Sequence, residues 1–149
     1  MMPTKAQLMQ QLQAMLSVQR QTALDAAQVA HNDATNEQSV AETQYDTIGL
    51  EAAYLAHGQS QRVADIDAIL QQLASLLLRD FSSDDNIALT AIITLEGGMT
   101  CWLLPACGGY KLSNDNIIVI TPQSPLGKKL DGAMVNDTLD DGRKIISIS

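Results

Sequence analysis

Apolar residues recur at steps of three and four through the first half of the chain, twice over, and then switch to every second position. The first track is Leu8, Leu12, Met15, Gln19, Thr22, Ala26, Val29 and Asp33; the second is Ile48, Ala52, Leu55, Gln59, Arg62, Ile66, Ile69, Leu73 and Leu76. A sustained spacing of about 3.5 is the seam of a coiled coil. Only Pro3, Gly49 and Gly58 interrupt this half. The spacing predicts one helix at about residues 5–36, with Thr4 as its N-cap, and a second at about 48–79. Folded antiparallel, the tracks pair Leu8 with Leu76, Met15 with Ile69 and Val29 with Leu55, and the apex falls near Glu42. Each helix would run on the order of 45 Å, at about 1.5 Å per residue.

The run Arg79-Asp80-Phe81-Ser82-Ser83-Asp84-Asp85-Asn86 breaks the heptads. Beyond it Leu89, Ala91, Ile93 and Leu95 alternate with Thr90, Ile92 and Thr94, as in a half-buried strand. Glu96-Gly97-Gly98 is a turn signal, and Thr100–Leu104 reads as the returning strand. After a polar loop, Ile117–Thr121 suits a central strand. Ser124-Pro125 opens a short helix with proline at its first position. Asp140-Asp141-Gly142 is a hairpin turn into a last strand ending at Ile148. The expected class is α+β: a coiled-coil arm over 1–79, a linker over 80–86, and a small antiparallel β domain with one short helix over 87–149. At 149 residues the chain suits one compact domain or two small ones.

Charge is distributed unevenly along the arm. Between Arg20 and Arg62 there is no lysine or arginine, only Asp25, Asp33, Glu37, Glu42, Asp46 and Glu51. The antiparallel fold gathers Glu37, Glu42, Asp46 and Glu51 at an acidic tip near residues 37–51, suited to a cation or a positively charged cavity. The whole chain carries a net charge of -8 and five aromatic residues. That balance argues against direct nucleic-acid binding, whose phosphate contacts need lysine and arginine. No run approaches a membrane span and no apolar leader follows Met1, so a cytoplasmic protein is expected. Cys101 and Cys107 read as free thiols, and no third or fourth ligand joins His31 and His57. No serine has a histidine–carboxylate set and no phosphate loop occurs, so the chain is not expected to be an enzyme on its own.

The segment Ser124-Pro125-Leu126-Gly127-Lys128-Lys129-Leu130-Asp131-Gly132-Ala133-Met134-Val135-Asn136-Asp137, preceded by Ile118-Val119-Ile120-Thr121, resembles the "SPLG-x-x-LLG-x-x-x-GD" run of the bacterial Gre transcript-cleavage factors. Arg62-Val63-Ala64-Asp65-Ile66 gives a weaker echo in the second helix. The resemblance covers the whole chain by architecture and is specific over residues 117–137. It implies an FKBP-like C-terminal domain that docks at the rim of the RNA polymerase secondary channel, here through Gln123, Ser124, Pro125 and Leu126. It also implies a coiled coil that enters the channel. Tip carboxylates of the family help hold a second Mg²⁺ at the polymerase active centre, where backtracked RNA is cut. Mg²⁺ is a hard cation bound through one or two carboxylates plus phosphate oxygens, and two metals can stabilise the attacking and leaving oxygens.

The tip departs from the family pattern. Gre tips read close to "G-D-L-x-E-N-A-E-Y", whereas residues 41–54 here begin Ala41-Glu42-Thr43-Gln44-Tyr45-Asp46 and end Glu51-Ala52-Ala53-Tyr54. Aligning Arg62–Ile66 puts Glu42 and Tyr45 at the two acidic positions; aligning Glu51–Tyr54 instead suggests Asp46 and Glu51. The heptad geometry favours Glu42 and Asp46 at the apex, and these two are the metal-holding acids expected in a polymerase complex. Gln123 stands where the family more often has Asp or Asn, keeping a polar contact without the charge. The altered tip favours a channel-binding regulator with little or no cleavage. A true cleavage factor holding Mg²⁺ is the alternative, and a coiled-coil adaptor for an unrelated basic partner is the third reading.

Overall fold

The computed structural model describes residues 3–40 and 46–149; within 33–52, and at 54, it describes no side chains. Two units divide the chain: Gln13–Ala74 forms one, and Met1–Leu12 with Ser75–Ser149 forms the other.

The helical unit is made from α1 (Lys5–Val40) and α2 (Asp46–Ala74). Its buried line on α1 runs Leu16, Ala23, Ala27 and Ala30, and among the described side chains of α2 the buried ones are Ile66 and Leu73. Half-buried Ala56, Gln59, Val63 and Leu70 extend that second line at steps of three and four. Arg20 bonds Asp67 across the two helices, Nε to Oδ1 at 2.6 Å and Nη2 to Oδ2 at 3.3 Å. The predicted seam is therefore displaced by one residue at half its positions. Met15, Val29 and Leu55 are 37%, 60% and 56% exposed, and Leu16, Ala30 and Ala56 take the inward places. At 30 and 56 the inward residue is alanine, whose weak apolar signal lost to Val29 and Leu55; at 15 and 16 both residues are apolar, and the heptad count alone favoured Met15 over Leu16. α2 also stops at Ala74 instead of 79, which leaves Leu76 outside the helix.

The other unit is built on a five-stranded sheet of order β3-β4-β2-β1-β5, with β1 Ile92–Leu95, β2 Thr100–Leu103, β3 Lys111–Leu112, β4 Ile117–Ile120 and β5 Ile145–Ile148. β1 and β2 form the predicted hairpin, turned by Gly97 and Gly98 at φ 96° and 97°. β2 and β4 run parallel, with Trp102 beside Val119, so the sheet is mixed and not purely antiparallel as expected. β3 pairs antiparallel with β4 and was not anticipated, because two residues inside a polar loop leave no period to read.

Alternation gives the sheet two buried faces, and a register shift between β1 and β5 brings both Ile145 and Ile148 to the same one. Ile93, Leu95, Cys101, Leu103, Ile120, Ile145 and Ile148 point to one side and join Phe81, Ile87, Leu130 and Leu139 in a single core. Ile92, Trp102, Ile117 and Val119 point to the other and are equally buried. Leu8, Met9 and Leu12 of the first turns of α1 are buried within this same unit. That segment is tied to both ends of the sheet: Gln11 Oε1 accepts from the Ser113 N–H beyond β3 at 3.0 Å, and Lys5 Nζ donates to the Ser149 carbonyl beyond β5 at 2.8 Å. Lys5 and Arg79 both lie over the Phe81 ring, 4.8 and 4.6 Å from its centre. Partial burial of the Lys5 ammonium lowers its pKa to about 8, opposed by Asp80 and aided by Arg79.

The predicted strand over 89–95 begins only at Ile92, because Thr90 turns the chain at φ 79°. A positive φ is unfavourable for a β-branched residue, and Thr90 is held there by three hydrogen bonds of its own and a fourth at its neighbour Ala91. Its N–H donates to the Leu103 carbonyl, its carbonyl accepts from Trp102 Nε1, its Oγ1 accepts from the Arg79 N–H, and the Leu103 N–H closes the same corner on Ala91.

Candidate functional site

The segment that follows β4 carries the residues expected to dock a partner, and the local fold accounts for its composition. Ser124 caps α3 (Pro125–Leu130): its Oγ accepts from the Gly127 N–H at 3.0 Å and donates to the Thr121 carbonyl at 2.7 Å. Pro125 occupies the first helical turn, where a missing N–H costs nothing. Gly127 is there because α3 lies directly on the end of β4. A Cβ at Gly127 would stand 1.8 Å from the Thr121 carbonyl oxygen and 2.9 Å from Ser124 Oγ. Downstream, Gly132 turns at φ 83° and its carbonyl accepts from Asn86 Nδ2. Asn136 follows at φ 76°, and Asp137 Oδ2 accepts from the Met134 N–H at 2.9 Å. Ser124, Gly127, Gly132 and Asp137 thus have structural duties within the run.

Three residues of the expected docking set have fewer such duties. Gln123 and Pro125 are exposed, and Leu126 is half-buried against the core. Pro125 and Leu126 form one wall of a shallow groove of about 370 Å³; Met99 and Ile118 are among the residues that line it, and Gly108-Gly109 closes one end. Gly108 lets that loop approach the end of β4, since a Cβ there would be 3.3 Å from Thr121 Cγ2. Beside the groove, Met99 Sδ accepts from Arg143 Nη1 at 3.3 Å, while Arg143 makes a two-point pair with Asp141 at 2.7 and 2.9 Å. The hydrogen bonds from Arg143 lower the Asp141 pKa to about 2. The groove is thus apolar in its walls, with a held arginine at its margin and Lys128 and Lys129 exposed on α3.

Sequence reasoning found Pro125 and Leu126 but not Met99, Gly108 or Ile118. Ile118 has a signal in hindsight: it alternates with Ile117 and Val119, so it falls on the α3 side of the sheet. Met99 and Gly108 were read as turn and loop, and only the fold brings them to α3.

Glu42 lies outside the described residues. Glu37, Asp46 and Glu51 have a described helical backbone, with Asp46 opening α2, but their side chains lie outside what is described. The expected acidic tip and its Mg²⁺ pair, Glu42 with Asp46, are therefore placed only by sequence. Among the described residues no cluster of His, Cys, Asp or Glu could hold a metal, and no helix is long and apolar enough to cross a membrane. His31 and His57 are both exposed. Cys101 is buried and Cys107 half-buried, and both thiols are free. Burial pushes the Cys101 thiol up to about 11 and raises that of Cys107 as well.

No protein-family model matches the chain, and no curated protein matches it. Among solved structures it is similar to GreA factor homolog 1 (Gfh1) of Thermus thermophilus, at 23% identity over 92% of this chain and 94% of that one, with a TM-score of 0.35. Gfh1 of Thermus aquaticus gives 23% identity, 91% and 92% coverage and a TM-score of 0.35. A further structure of the transcription factor Gfh1 gives 24% identity, 95% and 92% coverage and a TM-score of 0.36.

Proposed function

We propose that this chain is a Gre-like transcription factor. It binds bacterial RNA polymerase through an FKBP-like sheet unit and places an antiparallel coiled-coil arm with an acidic tip in the secondary channel. One observation carries the reading. Within the Gre-like run, Ser124 and Gly127 are consumed by the cap and the close packing of α3, while exposed Pro125 and half-buried Leu126 line an apolar groove and Gln123, the residue before the cap, is exposed. Folding accounts for Ser124, Gly127 and the first-turn Pro125; the exposed apolar groove that Pro125 and Leu126 line is what a partner side chain would fill.

Docking would bury Pro125, Leu126, Met99 and Ile118 against an apolar side chain of the partner, at about 25 cal/mol per Å² removed from water. Gln123 would add a neutral hydrogen bond at the rim. The chain would contribute no catalytic group of its own. Its tip acids, Glu42 and Asp46 first, with Glu37 and Glu51 beside them, would act on the polymerase's active centre. The departure of residues 41–54 from the Gre tip pattern favours a regulator that occupies the channel without speeding RNA cleavage. Two carboxylates shared with the polymerase's Mg²⁺ would make it a cleavage factor instead.

A backtracked elongation complex, supplied with Mg²⁺ and saturating protein, separates these readings. The expected result is displacement of a cleavage-competent Gre factor with no faster cleavage. Faster 3′ cleavage, lost in Glu42→Ala with Asp46→Ala, would assign the cleavage role. Absence of both cleavage and competition, with Pro125→Asp behaving like the parent, would reject polymerase as the partner.

A further inference from the structure

Lys5 opens α1 and is half-buried, whereas Lys111, Lys128, Lys129 and Lys144 are all exposed. Its Nζ donates to two backbone carbonyls brought together from distant parts of the chain, those of Arg79 and Ser149. It also lies 4.8 Å from the centre of the Phe81 ring. The Arg79 guanidinium lies 4.6 Å from the same ring; it is exposed and has no carboxylate partner among the described residues. This pocket of groups accepts a neutral amine as readily as an ammonium. A neutral amine keeps two N–H groups, enough for both carbonyls, and still has its lone pair. Burial, and to a lesser degree the Arg79 charge, oppose the ammonium. Asp80 favours it, and so does the Phe81 ring, but burial prevails and the pKa falls to about 8. At pH 7.5 about a quarter of Lys5 is then neutral, against about one in a thousand for a lysine at its ordinary value.

A neutral lysine amine is a nucleophile, and the cation beside it selects the electrophile. The guanidinium of Arg79 offers a fork of N–H donors that matches phosphate oxygens. It suits a donor whose leaving group is phosphate. We propose that Lys5 is an acylation site whose donor is an acyl phosphate. The Nζ lone pair attacks the acyl carbon, the bond from that carbon to the phosphate oxygen breaks, and inorganic phosphate leaves beside Arg79. The nitrogen gives one proton to solvent. The amide so formed carries no charge and a single N–H, so it serves one of the two carbonyls and loses its attraction to the Phe81 ring. Acylation would thereby loosen the hold of the first turns of α1 within the sheet unit. The proposal stands whether or not that unit docks on RNA polymerase.

The test treats the full chain with acetyl phosphate at about pH 7.5 and follows each lysine by mass spectrometry. Lys5 should be acetylated about tenfold faster than Lys111, Lys128, Lys129 or Lys144, the larger neutral fraction outweighing the lower basicity. Its rate should level off above about pH 8, while theirs keep rising. Arg79→Gln should slow acetyl phosphate about fivefold or more, yet leave labelling by an uncharged N-hydroxysuccinimide ester within about twofold of the parent. Hydrogen exchange over residues 5–12 should quicken about tenfold in the acetylated chain and in Lys5→Gln. Lys5→Arg, which keeps the charge and the donors, should exchange like the parent. Labelling of Lys5 no faster than that of the four exposed lysines would overturn the proposal. An Arg79→Gln chain slowed equally with both reagents, or with neither, would overturn the choice of donor.

Discussion

Replacing Gly127 with alanine opposes two physical effects whose difference can be worked out. Helix propensity favours alanine by about 1 kcal/mol. Against it, the new Cβ would stand 1.8 Å from the Thr121 carbonyl oxygen and 2.7 Å from the Thr121 carbonyl carbon, both backbone atoms. Ordinary contact lies well above 3 Å, so α3 must move away from the end of β4 by more than an ångström. That displacement breaks the Ser124 bonds to Thr121 and Gly127, a cap worth about 1 kcal/mol. It also loosens Leu130, which is fully buried, at a cost of about 2 kcal/mol. The net expectation is destabilisation by about 2 kcal/mol. Trp102 is the chain's one tryptophan and is fully buried in the sheet unit, so its fluorescence follows that unit alone during urea unfolding. The midpoint should fall by on the order of 1–2 M urea. An unchanged or higher midpoint would show that propensity wins, and would refute the account of why glycine stands in the Gre-like run.

The remaining expectations concern single groups. Thiol titration of the native chain should label Cys107 well before Cys101, which is fully buried with its pKa raised to about 11; equal rates would contradict the burial of β2. Asp141 has its pKa depressed from 3.8 to about 2, so its pairing with Arg143 contributes stability above about pH 4 that is lost as pH falls toward 2. Asp141→Asn should flatten the stability profile of the sheet unit across that window, and an identical acid slope in parent and variant would show the pair to be inert.

Much of the molecule was legible because local chemistry and tertiary packing agree. Ser124-Pro125 announced α3 through a cap and a first-turn proline, and both have those places. Gly97-Gly98 announced the β1–β2 hairpin through positive φ. What escaped depends on partners distant in sequence. The parallel pairing of β2 with β4 leaves no local trace, since a buried strand reads alike in either direction. Thr90 reads as a strand residue and is a corner only because Trp102, Leu103 and Arg79 bond to it. The first turns of α1 read as the base of a coiled coil but bury Leu8 and Leu12 within the sheet unit. At the groove, Pro125 and Leu126 were found through their motif, while Met99 and Ile118 arrive through the sheet.

Membership of residues 1–12 in the sheet unit has a kinetic consequence. To that unit, residues 13–74 are one long excursion between two segments that must meet. Closing a flexible loop of that length costs about 4 kcal/mol in chain entropy beyond the constant term. If α1 and α2 pair first, with Arg20 against Asp67, most of that entropy is already lost before Lys5 reaches Phe81 and Ser149. The sheet unit would then complete its assembly by zipping from an arm already formed, and its folding rate would depend on residues it does not contain.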